Sequence, residues 1–176
     1  VQSAATSSLP YSETSRGEVW SVTVTPNDGH GDGTPATAEV TILNAPPSVT
    51  GVTISPATPT ENDTLQCDYA SSYDEDGDGI SMSYQWLVNG SPADTSPTLG
   101  GDLFSRGDSI QCSITPSDGF EEGSTQTSSA VIVANSAPEL SSVTLSPTTA
   151  IESSTLTCEA GAATDSDGDS ISFSYD

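Results

Sequence analysis

Apolar and polar residues alternate with a period of two along much of the chain, which is the pattern of β-strands that bury one face. In the clearest run, apolar or aromatic residues occupy every second position from Ile80 to Val88. Gly, Pro, Asn and Asp interrupt such runs, and Asn89-Gly90 is a strong signal for a tight hairpin turn. The alternation within one stretch predicts strands at 49–55, 64–70, 80–88, 91–94, 98–104, 109–115 and 125–133.

The chain repeats itself with a period near 91 residues, since Cys67 aligns with Cys158 and 158 − 67 = 91. In the other half of the unit, 15–29 aligns with 105–119 at a shift of 90. A period of this length is the size of one small β-sandwich domain. We therefore divide the chain into the rear half of a repeat at 1–44, a complete repeat at 45–135 and the front half of the next repeat at 136–176.

Composition restricts the class of partner. The 176 residues include 25 acidic and 2 basic ones, which gives a formal net charge of −23. Nucleic acids and anionic membrane surfaces attract basic proteins, so neither is expected as a partner. No apolar run reaches the length of about 18 residues that a membrane span needs, so we expect no membrane insertion. The excess of carboxylates instead favours contact with cations.

The order of Cys67, Trp86 and Cys112 resembles the immunoglobulin fold, in which a strand-B cysteine pairs with a strand-F cysteine over a strand-C tryptophan. The chain departs from that family at Ile110, where a tyrosine is usual. The resemblance implies an all-β fold of tandem immunoglobulin-like, Greek-key β-sandwich domains of about 90 residues. It also implies a Cys67–Cys112 disulfide, and hence an extracellular or cell-surface location. The alternative is that all three cysteines are buried free thiols.

An acidic loop precedes the third strand of the repeat, and three carboxylates within five residues repel one another there. Hard oxygen ligands in a flexible loop suit Ca²⁺, and a bound cation would offset the repulsion. In a sandwich of this topology the loop at 117–119 lies at the same end, so a fourth carboxylate is expected nearby. The alternative is a solvated acidic turn without an ion. The candidate ligands are Asp74, Asp76, Asp78, Asp118, Asp165, Asp167, Asp169 and Asn135.

The Asp-x-Asp loops and the linkers 44-NAPP-47 and 135-NSAPE-139 resemble cadherin-like and bacterial immunoglobulin-like tandem repeats of extracellular adhesin-type proteins. In cadherins, calcium sits at the domain junction and stiffens it, so the resemblance implies calcium at each linker. The acidic linker residues of cadherins are missing here. Glu61 and Glu152, in the turn at the opposite end of each repeat, are expected to reach across from the preceding domain.

These observations favour a structural role, as a repeat segment of a long extracellular fibre or stalk. Its partners would be neighbouring repeats of the same chain, or copies of itself in a filament. The alternative is an immunoglobulin-like module that recognises a surface glycan or a protein through its loops, with Tyr11, Tyr73 and Phe120 as exposed aromatic residues. We expect no enzyme, because no nucleophile–base pair can be built around His30, the one histidine. Aromatic residues at strand positions that face the predicted core are Trp20, Tyr69, Tyr84 and Trp86.

Overall fold

A computed structural model describes residues 7–176, and this part of the chain is all-β, with several antiparallel sheets, as the alternation predicted. The helices within it are two short 3₁₀ turns, Tyr11–Glu13 and Gly101–Leu103. None of the described residues forms a helix with the length and apolar character needed to cross a membrane. The strands are β1 Val19–Val24, β2 Ala36–Thr41, β3 Ser48–Thr50, β4 Thr53–Ser55, β5 Leu65–Asp68, β6 Ser71–Tyr73, β7 Ser81–Val88, β8 Ser91–Asp94, β9 Thr98–Leu99, β10 Ser109–Ser117, β11 Gln126–Thr127, β12 Val131–Ile132, β13 Glu139–Leu140, β14 Val143–Ser146, β15 Thr157–Ala160 and β16 Ala163–Thr164.

The chain forms two compact units, and the segments of one alternate along the sequence with the segments of the other. Within the described residues, the first combines 7–48 with Ser72–Met82 and Pro116–Ser124. The second contains Val49–Ser71, Ser83–Thr115 and Thr125–Asp176. The first acidic loop therefore belongs to the first unit, and the second acidic loop belongs to the second. The repeat boundaries predicted after residues 44 and 135 stay a prediction.

The hydrophobic core lies in the second unit, between two groups of strands. One group has the order β4-β5-β9, and the other has the order β11-β10-β7-β8, with β12 also pairing with β10. Trp86 is completely buried, and its indole N–H donates to the carbonyl of Ser96 at 2.9 Å. The buried hydrophobic residues are Val49, Val52, Ile54, Leu65, Cys67, Trp86, Leu99, Phe104, Ile110, Cys112, Ile114 and Val133.

The disulfide joins Cys67 on β5 to Cys112 on β10, which is the pairing that the immunoglobulin resemblance implied. Both residues are buried among the core side chains. Cys158 is a free and exposed cysteine. The alternative of three buried free thiols is therefore not the arrangement in this structure.

Two predicted strands are interrupted by glycines. The stretch 49–55 divides into β3 and β4 because Gly51 has a φ of 69°, a left-handed conformation that breaks the extended backbone. The stretch 98–104 is extended only over Thr98–Leu99 and then forms the 3₁₀ turn Gly101–Leu103. A Cβ on Gly101 would lie 2.0 Å from the carbonyl oxygen of Glu61, so only glycine allows this close approach.

One inserted residue divides the last predicted strand and explains the two repeat shifts. In the first repeat Val19 pairs with Thr41, and β1 and β2 remain in continuous register. In the complete repeat Ser113 pairs with Thr127, and Ser109 pairs with Ile132. These two pairs are four residues apart along β10 but five residues apart along the segment that contains β11 and β12. The shift is therefore 90 before this point and 91 after it, and the pattern at 125–133 yields β11 and β12 as separate strands.

The aromatic residues follow the predicted burial with one exception. Trp86 is buried, and Trp20 and Tyr84 are half-buried. Tyr69 is 40% exposed, because β5 ends at Asp68 and the tyrosine lies just beyond it. The three aromatic residues predicted to be exposed, Tyr11, Tyr73 and Phe120, are exposed.

The flanking half-repeats have the same apolar pattern, but their apolar side chains are exposed to solvent. Val22 on β1 is 55% exposed, whereas its counterpart Cys112 is fully buried. Leu156 is likewise 54% exposed, although its counterpart Leu65 is fully buried. Within residues 7–176, β1 and β2 form a sheet of two strands, as do β14 and β15. The pattern alone does not bury a side chain unless a second sheet faces it.

We expect removal of the disulfide to destabilise the core strongly. The bridge closes a loop with a sequence separation of 45, and the chain-entropy relation for such a loop gives about 4 kcal/mol. Replacing both Cys67 and Cys112 with Ala should lower the free energy of unfolding by about that amount in urea titrations. Cys158→Ser is the control and should leave it nearly unchanged, because Cys158 is exposed. Thiol titration of the denatured, unreduced chain should find one thiol, and three would contradict the pairing.

Candidate metal centre

The first acidic loop joins β6 to β7 and gathers three carboxylates. One oxygen from each of Asp74, Asp76 and Asp78 lies within 4.8 Å of the others. Oxygens bound to one Ca²⁺ ion lie up to about 5 Å apart, because each Ca–O distance is about 2.4 Å. Asp74 is buried, Asp76 is exposed and Asp78 is half-buried. The spacing is therefore suitable for ligands around one hard cation.

The second acidic loop repeats this geometry. One oxygen from each of Asp165, Asp167 and Asp169 again lies within 4.8 Å of the others. Both loops close in the same way: the N–H of Asp169 donates to Oδ1 of Asp165 at 2.9 Å, and Asp78 donates to Asp74 at 2.9 Å. The glycine before the third aspartate has a φ of 73° in this loop and 80° in the first, which explains why glycine occupies that position.

Three buried oxygens at these loops have no hydrogen-bond partner among the described residues. They are Oδ2 of Asp74, Oδ1 of Asp167 and Oγ of Ser136. Asp74 and Ser136 are 8% and 3% exposed, and the side chain of Asp167 is fully buried. Burying a carboxylate oxygen without a partner costs several kcal/mol in general, and a cation removes that cost by coordination. The residues present thus fit a bound metal ion.

Each linker is tied to the middle carboxylate of the loop that follows it. The N–H of Ala45 donates to Oδ2 of Asp76 at 2.8 Å. The N–H of Ser136, at the equivalent position, donates to Oδ2 of Asp167 at 2.7 Å. The linker and the acidic loop are therefore one structural element in both repeats, although only Ser136 adds a hydroxyl group.

One arginine side chain forms an ion pair with the third aspartate of each acidic loop. Arg16 forms an ion pair with Asp78, and the same Nη1 atom donates to Oδ1 of Asn44 at 2.8 Å. The guanidinium of Arg16 also stacks on Phe120, with its Cζ atom 3.5 Å from the ring centroid. A cation over an aromatic face is attracted by the ring quadrupole, so this contact helps to orient the arginine.

The second arginine makes the corresponding contacts. Arg106 pairs with Asp169 and holds both of its oxygens, with Nη2 donating to Oδ1 at 3.1 Å. Its Nη1 also donates to Oδ1 of Asn135 at 2.6 Å. The hydrogen bonds that Arg106 donates to Asp169, together with its positive charge, keep the pKa of Asp169 below its ordinary value.

Asp118 lies outside the three-carboxylate group and instead accepts a hydrogen bond from Asn44 in the linker. Its Oδ1 accepts the N–H groups of Phe120 and Glu121, both at 2.7 Å, and its Oδ2 accepts from Nδ2 of Asn44 at 2.8 Å. These donors lower the pKa of Asp118 to about 2, with the Glu121 N–H as the largest cause and Asn44 next. We predicted a fourth ligand here; Asp118 accepts a hydrogen bond from the linker asparagine, and its binding to a metal stays a prediction.

The remaining candidates also have specific positions. Asn135, which we predicted as a ligand, uses its Oδ1 for Arg106 and donates Nδ2 to the carbonyl of Ser136 at 2.6 Å. Glu61 accepts the backbone N–H of Arg106 at 2.6 Å, so this acidic residue supports the turn that carries the arginine. Whether any of these groups binds a metal stays a prediction.

The sequence reasoning missed the two arginines. No contact was predicted for either arginine, although a usable signal was present. The chain has two basic residues against 25 acidic ones, and both stand at matching positions of the repeat. A rare charge that recurs at one repeat position indicates a contact with the opposite charge.

Comparison with known proteins identifies no relative. No protein-family model matches the chain, and neither does any curated protein or solved structure. The interpretation of the site therefore depends on the geometry of its own residues.

We expect Asp118 to titrate near pH 2, as its lowered pKa indicates. Because the folded-state pKa lies below the unfolded value of about 3.9, the stability from Asp118 is present above pH 4 and is lost as the pH falls toward 2. Asn44→Ala should raise this pKa, yet leave it below the ordinary value, because the backbone donors remain. Carboxyl carbon NMR titration measures the shift.

Asp28 provides the matched control for this titration. It occupies the equivalent position in the preceding repeat, and the N–H groups of His30 and Gly31 lower its pKa. Asn44→Ala should therefore leave Asp28 unchanged. An Asp118 that titrates at its ordinary value, or that ignores the loss of Asn44, would contradict the described hydrogen bonds.

Proposed function

We propose that this chain is a segment of tandem immunoglobulin-like repeats in an extracellular or cell-surface fibre or stalk, whose junctions bind calcium. The observation that carries this proposal is the recurrence of one junction geometry. The linker N–H, the aspartate triad and the arginine of the preceding repeat meet in the same way at two places about 91 residues apart. A feature repeated with the domain period serves the array as a whole, rather than one binding surface.

The strand order supports an immunoglobulin-like sandwich. The order β4-β5-β9 corresponds to strands A, B and E of that fold. The order β11-β10-β7-β8 corresponds to strands G, F, C and C′. The disulfide then joins strand B to strand F, and a disulfide is typical of proteins in oxidising, extracellular compartments.

Charge and ligand chemistry support calcium as the ion. Each junction brings together three carboxylates and one guanidinium, which leaves a net charge of −2 for a divalent cation to neutralise. All of the available ligand atoms are hard oxygens, which Ca²⁺ prefers. Extracellular modules bind calcium at roughly 10⁻⁴–10⁻³ M, and such binding stabilises the folded junction by mass action. A cation at this position would restrict bending between repeats.

We expect the chain to bind two calcium ions with dissociation constants on the order of 10⁻⁴–10⁻³ M. Asp74→Asn should remove one of them, because it changes the buried carboxylate of the first triad. Asp165→Asn should remove the other. Isothermal titration calorimetry measures the number of ions bound by each variant.

Glu75→Gln is the matched control for these variants. It removes the same charge from the same loop, but Glu75 is not one of the clustered carboxylates. This variant should still bind two ions. If Glu75→Gln and Asp74→Asn weaken binding equally, or if no saturable binding occurs, the loops act only as diffuse negative charge and the proposed cation sites are wrong.

A further inference from the structure

Both basic side chains of the protein are located at repeat junctions. Arg16 and Arg106 are the two basic residues in a chain with 25 acidic ones, and acidic partners are therefore available almost everywhere. Each arginine nevertheless contacts the same pair of groups, which are the linker asparagine and the third aspartate of the following loop. The two contacts are separated by one repeat period, so the placement is specific.

The turn that carries each arginine is itself held in place. The N–H of Gly107 donates to the carbonyl of Val133 at 2.9 Å, and the N–H of Ser105 donates to Oδ2 of Asp108 at 2.8 Å. The backbone N–H of Arg106 is fixed by Glu61. The guanidinium is thus presented by a rigid turn, which reduces the entropy lost when the ion pair forms.

The turn around Arg16 has the same construction. The N–H of Gly17 donates to the carbonyl of Ile42 at 2.8 Å, and the N–H of Ser15 donates to Oε2 of Glu18 at 2.9 Å. Gly17 and its counterpart in the other turn have φ values of 81° and 89°, a conformation that favours glycine. Both Ser-Arg-Gly turns therefore project an arginine toward the linker that follows.

We infer that each arginine is a latch that closes the junction before any metal binds, and that it divides the aspartate triad between two cations. The guanidinium takes the third aspartate and the linker asparagine. The first two aspartates, which carry the unpaired buried oxygens at Asp74 and Asp167, remain for the divalent ion. The assignment of ligands depends on the proposed calcium site, whereas the latch itself does not.

The division of the triad follows from which oxygens are already engaged. Arg106 donates to both oxygens of Asp169, so each of these oxygens has one acceptor site fewer for a metal. Asp167 keeps its buried Oδ1 free, and the hydroxyl of Ser136, also buried and unpaired, belongs to the residue bound to the other oxygen of Asp167. Nη1 of Arg106 also lies 3.8 Å from Oδ2 of Asp167, so the unpaired buried oxygens at this junction are Oδ1 of Asp167 and Oγ of Ser136.

The test measures amide hydrogen exchange by NMR on the full chain in the presence of a calcium chelator. In Arg106→Gln, the N–H groups of Ser136 and Asp169 should exchange about three- to tenfold faster, because loss of a charge-assisted contact favours local opening. The N–H groups of Ala45 and Asp78 should keep their original rates. Arg16→Gln should give the reverse pattern.

The reciprocal design contains its own folding control, because the untouched junction reports whether the chain is intact. Arg106→Lys keeps the charge but loses the fork of donors, so it should give an intermediate rate at Ser136. Unchanged exchange at Ser136 and Asp169 in Arg106→Gln would overturn the latch. Faster exchange at both junctions would also overturn it, since the contact would then stabilise the whole chain rather than one junction.

Calcium titration of the same variants tests the division of the triad. Arg106→Gln and Arg16→Gln should each still bind two ions, because the first two aspartates of every loop are unchanged. Loss of an ion in either variant would contradict the ligand assignment. If the unmodified chain binds no calcium, the proposed function fails, while the exchange measured in chelator still decides whether the latch exists.

Discussion

The structure depends on how three carboxylates within five residues are neutralised. In each acidic loop the aspartates are drawn to within 4.8 Å, close enough that like charges repel strongly in a partly buried site. The linker N–H, the guanidinium of the preceding repeat and a proposed cation each offset part of that repulsion. Because these groups come from different segments of the chain, neutralising the loop also fixes the linker to the acidic loop.

This constraint links local chemistry to a proposed mechanical role. The central core is stabilised by its buried side chains and by the Cys67–Cys112 bridge. The order at each junction comes from polar contacts, which depend on pH, salt and cations. An array built in this way would keep stable domains while its bending responds to the surrounding ions.

Much of the fold followed from local rules, and the failures have physical causes. Period-two alternation identified most of the strands and the core-facing position of Trp86. Glycines with unusual backbone geometry and one inserted residue divided strands that the pattern made continuous. The triads were evident because their members are neighbours in sequence. The arginine contacts were not, because Arg106 and Asp169 are 63 residues apart and no local pattern connects them. Asp118 accepts hydrogen bonds from Asn44 and from two backbone N–H groups, and its role as a fourth ligand stays a prediction.

A crystal structure of the full chain grown at millimolar calcium tests the central claim most directly, because anomalous scattering identifies the ion and its ligands together. The account predicts an ion bonded to Asp74 and Asp76 in the first loop and to Asp165 and Asp167 in the second. It also predicts that Arg16 and Arg106 remain on Asp78 and Asp169. Loops without an ion at that concentration, or an ion that displaces both arginines from the third aspartate, would contradict it.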